Sequence, residues 1–173
     1  MKLKIAILVF IFGQCLLNGS MSPFSDYYVI SKPDMEVLTG NYELCFHQMS
    51  HYEAAFDSKI KELKAIPKIV LNLDGSFRTR DFPAWLEYEA YKYKFNGFIA
   101  SKGNWSLVVV GYMDDGKGGL VEHWGIKFEG LDSAENQPIL IKQTSDFEIL
   151  FIYGDPDSGE VVLFKKESDP AGG

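Results

Sequence analysis

The sequence predicts a mainly β protein: an antiparallel meander barrel of eight to ten strands, with one amphipathic helix after the first strand. Three observations predict it. Apolar and polar residues alternate with period two in segment after segment from Tyr42 to Lys166, as half-buried strands require. Clusters of Gly, Asp, Asn and Pro separate these segments at short intervals, the turn spacing of a sandwich or barrel. One stretch, between Ser50 and Pro67, instead carries its apolar residues at helical spacing.

The chain opens with an address rather than with fold. Met1–Lys4 is basic, Ile5–Phe12 is an uninterrupted apolar run, and Asn18, Gly19 and Ser20 are polar or small. That order matches a secretory signal over residues 1–19, and Gln14 interrupts the run too early for a spanning helix. Cys15 stands directly behind the apolar core. Phe12-Gly13-Gln14-Cys15 resembles the box in which bacterial lipoproteins carry a lipid-modified cysteine, and such a lipid would be the one route to a membrane. Either Cys15 leaves with the signal or it becomes the anchor, and both leave Cys45 without an intramolecular disulfide partner. Cys45 then reads as a small buried hydrophobe.

Residues 20–33 read as a linker, 34–167 as the folded domain and 168–173 as a frayed tail. Asp34 is placed to cap a single helical turn before Gly40. Tyr42, Leu44 and Phe46 alternate with Glu43, Cys45 and His47 in the first strand. Ser50-His51-Tyr52-Glu53 fits a capping box, and Tyr52, Phe56, Ile60 and Leu63 make an apolar stripe, so a helix is expected over His51–Ala65 before Pro67 stops it. Ile69, Leu71 and Leu73 lead to a hairpin at Asp74-Gly75, continued by Phe77 and Thr79. Pro83 is expected to break the run, after which Tyr91, Tyr93 and Phe95 alternate with lysines. Trp105, Leu107 and Val109 share one face before the turn Asp114–Gly119, and Trp124, Ile126 and Phe128 share one face behind it. Ile139–Lys142, Phe147–Tyr153 and Val161–Lys166 are the last strands, with the turn Gly154–Gly159 between the final two.

Composition bounds the function. Of 173 residues, 46% are hydrophobic and 24% charged, enough apolar residue for one core and too short a chain for two ordinary ones. The net charge is −7, and removing Lys2 and Lys4 with the signal leaves 15 basic against 24 acidic residues, or −9. With no basic patch, nucleic acid is excluded as partner, and the same charge opposes docking of the domain itself on anionic lipid. Chemistry-bearing motifs are sparse. His47 and His51 have H-x-x-x-H spacing, but the expected strand–helix boundary falls between them and no third ligand follows, so no metal site is expected. Asp114–Gly119 lacks the order of a phosphate-binding loop, and the acids at Asp155–Glu160 fit a hairpin turn better than a calcium loop. Glu87 and Glu89 read as same-face neighbours on an exposed strand rather than as an acid–base pair. No motif requires a cofactor, and the expectation is a non-catalytic protein.

Leu38-Thr39-Gly40-Asn41-Tyr42-Glu43-Leu44 resembles the opening of lipocalins and fatty-acid-binding proteins, with Tyr42 in place of the Trp of their G-x-W. A helix between the first two strands is similar to the helical insert of fatty-acid-binding proteins, and Gly103-Asn104-Trp105 and the Asp155–Asp157 turn resemble segments of bacterial envelope lipoproteins with lipocalin-like barrels. The resemblance implies a lipocalin-like barrel in an exported protein of the periplasm, envelope or extracellular space, binding an apolar or amphipathic small molecule. Tyr42, Trp105, Trp124, Phe128 and Phe147 would line its cavity, and Phe56 would face it from a helix acting as lid. The same residues could instead fill a closed core, leaving an acidic protein-binding module: an inhibitor, immunity or scaffold protein. An interior pocket above about 300 Å³ separates the two readings.

Overall fold

The computed structural model describes residues 24–49, 53–89, 92–143, 145–154 and 160–167. The leader with Cys15, the capping residues Ser50–Tyr52, the turn at 155–159 and the tail lie outside the described residues.

Among the described residues ten strands form, β1 (Gly40–Gln48), β2 (Lys68–Leu71), β3 (Ser76–Arg80), β4 (Phe82–Glu89), β5 (Lys92–Ile99), β6 (Lys102–Asp114), β7 (Leu120–Glu129), β8 (Ile139–Ile141), β9 (Glu148–Ile152) and β10 (Val161–Lys166). A single turn α1 (Met35–Leu38) precedes β1, and the helix α2 (Glu53–Glu62) follows it. Eight strands close into an antiparallel ring in the order β1-β10-β9-β8-β7-β6-β3-β2, while β4 and β5 make a separate two-stranded sheet. The expected meander is thus interrupted once: β3 pairs with β6, and the hairpin between them leaves the ring. The corner is turned at Asp81, whose φ of 52° is a left-handed conformation that Asp accepts more readily than most residues. Pro83 does not break the strand. It lies within β4 opposite Phe98, where a two-stranded sheet with a register shift before Trp85 tolerates a missing N–H.

One buried cluster draws on all eight ring strands, including Tyr42, Ile69, Phe77, Trp105, Phe128, Leu140, Phe151 and Phe164, so it occupies the inside of the ring. A second joins Ile141, Leu150, Val161 and Leu163, which alternate with the first along β8, β9 and β10 and therefore face outward. Phe24, 3% exposed, with Tyr27 and Tyr28 covers that outer patch. The described part of the expected linker is thus packed on the fold. It also repairs a weak seam. β7 and β8 share one register pair, Gly125↔Ile139, and beside it Trp124 donates its N–H to Val29 O while Val29 donates to Leu140 O. Tyr28 bridges to Ile141 on the same side. Gly125 is required at the seam, since a Cβ there would sit 2.3 Å from Pro138 O.

β1 departs from simple alternation. A bulge between Leu44 and Phe46 shifts the register against β10, so Phe46 joins the outer cluster and His47 turns toward Phe56. Cys45, expected to be buried, is exposed at this bulge and donates its thiol to Leu163 O at 3.4 Å. The β2–β3 connection is also longer than the expected two residues. Asn72 donates to Ser76 O, Gly75 donates to Asn72 O, and Asp74 Oδ1 accepts from the Ser76 N–H and hydroxyl.

Candidate functional site

The ring has two ends. α1 and the β2–β3 turn lie at the lower end, where Tyr42 donates its hydroxyl to Leu38 O and the Trp105 indole donates to Asn72 O. α2, the β4–β5 hairpin and the loop between β7 and β8 meet at the upper end, where Trp85 takes a hydrogen bond from the Ala134 N–H and donates its own N–H to Ser133 Oγ.

Between the ends the interior is occupied by aromatic rings. Phe82, the first residue of the hairpin, is fully buried and stacks on Phe164 at 5.7 Å and meets Phe151 edge-on at 5.2 Å. Phe151 contacts Phe128 at 6.2 Å, and Phe128 contacts Phe77 at 4.9 Å. Above them Trp85 packs on Tyr153 at 5.4 Å and on Phe56 at 5.3 Å. Phe56 is ringed further by Phe95 and His47. These centroid separations are those of aromatic pairs in direct contact.

The six residues expected to line a cavity therefore meet different fates. Tyr42, Phe56, Trp105 and Phe128 are buried in the inner cluster, and Phe147 packs against its margin with Lys142 Nζ 4.9 Å from its ring. Trp124 is half-buried outside that cluster, separated from Leu140 of β8 by Val29, with Lys32 Nζ 5.4 Å over its ring. Sequence reasoning missed Phe82, Trp85 and Phe151, the centre of the packing. Phe82 follows the corner and precedes a proline, so nothing local marks it as interior.

Burial dominates the electrostatics. It holds the Tyr42 and Tyr153 hydroxyls well above the usual tyrosine range, so both stay neutral, and Tyr42 donates to Leu38 O. Burial likewise raises Glu148, which the Lys165 ammonium 3.5 Å away only partly offsets, and lowers His123. The His47 and Asp57 side chains approach to 3.6 Å, too far for a hydrogen bond, and the Cys45 thiol is directed to the outer strand face instead. Among the described residues no group of three or more metal-ligating side chains converges, and no helix is long and apolar enough to cross a membrane.

Among the described residues, three clefts lie on the outside. One of about 270 Å³ runs between α2 and β1, lined by Leu44, Ile60 and Leu63 through Pro67. Another, of about 530 Å³, lies where Lys32–Met35 pass Ser106 and Leu107. A third, of about 370 Å³, separates Ser25–Ile30 from the far end of the β6–β7 hairpin. No family model matches the chain, and no curated protein or solved structure does either.

Proposed function

We propose that this chain is an acidic, non-catalytic binding module with a lipocalin-like ring whose partners, protein in nature, meet its outer surface. The observation that carries the reading is Phe82, seated between Phe151 and Phe164 where a ligand would lie. An eight-stranded ring is just wide enough for its own side chains to fill, and here a hairpin from outside the ring adds to the filling. Export is part of the proposal and rests on Ile5–Phe12 and the polar residues behind it. Carriage of a small apolar molecule is the second reading. It is favoured by the upper end, where Tyr93, Phe95 and Phe98 are only partly buried around Phe56 and Trp85, but it requires the hairpin to lift Phe82 out.

Native mass spectrometry of the protein purified from its own cells tests both parts. We expect a polypeptide mass reduced by the leader, with acyl mass added if Cys15 is the anchor, and no retained small molecule. A stoichiometric apolar ligand would overturn the surface-binding reading in favour of carriage, and an unprocessed chain would overturn export.

A further inference from the structure

The β6–β7 hairpin outruns the ring. β7 accompanies β6 all the way from Asn104 to Asp114, whereas β3 pairs with β6 only over Lys102–Asn104. The last bond on the β3 side is the Trp105 N–H to Gly75 O, at 2.7 Å. Strand alternation then directs the backbone groups of Leu107 and Val109 to that same side, where no described strand pairs with them. Natural edges of this length are blunted by Lys, Pro or charge, because a row of unpaired N–H and C=O groups templates another strand. Ser106-Leu107-Val108-Val109-Val110-Gly111-Tyr112-Met113 contains none of these and is rich in β-branched residues. A bulge between Val109 and Gly111 is its one blunting device, and Tyr112 stands 62% exposed along it.

We propose that this edge is an interface, and that its occupant is the same edge of a second copy of the chain, paired antiparallel about a two-fold axis near Val108–Val110. Charge and shape are self-complementary in that arrangement. The uncharged run is symmetric about the axis, so two apolar edges meet. Antiparallel pairing about that axis sets Leu107 against Gly111 and Ser106 against Tyr112, and it ends before Asn104, which β3 already pairs. Pro33 and Met35 line a cleft beside Ser106 and Leu107, and it gives Tyr112 and Met113 of the second copy somewhere to seat. The inference goes beyond the proposed function, because self-pairing neither requires nor forbids another partner.

Sedimentation equilibrium of the purified protein over a range of concentrations tests it. The expected result is a reversible monomer–dimer equilibrium. Val109→Pro removes an edge donor on each copy and should weaken the dimer on the order of tenfold or more. Val109→Lys, which keeps every backbone donor but adds a charge, should do the same, and its thermal midpoint should stay near that of the parent. A parent protein that is monomeric throughout would overturn the proposal, including one that instead takes up a heterologous peptide on this edge. So would a dimer that survives Val109→Lys in a folded protein.

Discussion

At the scale of single residues, burial rather than residue type decides consequence. Trp105 and Trp124 occupy matching places in their strands by alternation, yet Trp105 is 3% exposed inside the ring while Trp124 lies below it under Lys32. Trp105→Ala should therefore destabilise by about 3–5 kcal/mol, the range for a buried aromatic. Trp124→Ala should cost less than half of that, and chemical denaturation of the two variants side by side gives the comparison. The period-two pattern assigned both residues to one face, and it did so correctly as far as Ile126. What it could not register is where the ring ends along the β6–β7 hairpin, because that boundary is set by β3, β8 and Val29 from elsewhere in the chain.

Among the elements, the N-terminal segment Phe24–Ile30 is the one whose role the sequence conceals. It lies within residues 20–33, where Pro23, Pro33 and scattered Ser give a linker's composition, and its own apolar residues follow neither strand nor helix period. It docks through Phe24 and Tyr28 and through backbone bonds with β7 and β8. Tyr28 lies 4.9 Å from the His123 ring, and burial depresses the basicity of that imidazole. The docked state thus binds a proton less readily than the undocked one, whose histidine titrates near an ordinary ~6.5. Docking is favoured above that pH and is lost progressively as pH falls through it. Hydrogen exchange at Tyr28 and Val29, corrected for intrinsic rate, should be faster relative to β9 at pH 5 than at pH 7.5, and His123→Leu should abolish the difference. α2 by contrast was legible from Phe56, Ile60 and Leu63. The β4–β5 hairpin was legible as strands but not as a plug, since alternation looks the same inside a ring and across its end.

For the whole molecule, closure is the dominant fact. β1 pairs with β10 from Tyr42 to Gln48, so the ring joins opposite ends of the chain. Such non-local pairing must be complete before the interior rings are sheltered from water. A chain stopped at Gly154 would lack β10, leaving β1 and β9 without their shared neighbour and Phe82 without Phe164. We expect it to show no cooperative thermal transition and to bind a hydrophobic dye, where the complete chain melts in one step. The mainly β class and the single helix were readable because they depend on local period and turn chemistry. The aromatic packing inside the ring was not, because it depends on which hairpin leaves the ring.

The strip of backbone at Tyr28 and Val29 also gives the molecule a mechanical character. A pull delivered through the chain ahead of Phe24 meets first the packing of Phe24 on the outer patch of β8, β9 and β10, and then the β7–β8 seam. The bonds that hold the strip are Lys142 N–H to Tyr27 O, Val29 N–H to Leu140 O and Trp124 N–H to Val29 O. All three must break before the strip leaves the seam. A tether at that end would hang the protein from its own weakest joint, and the strip is what lets the joint bear tension.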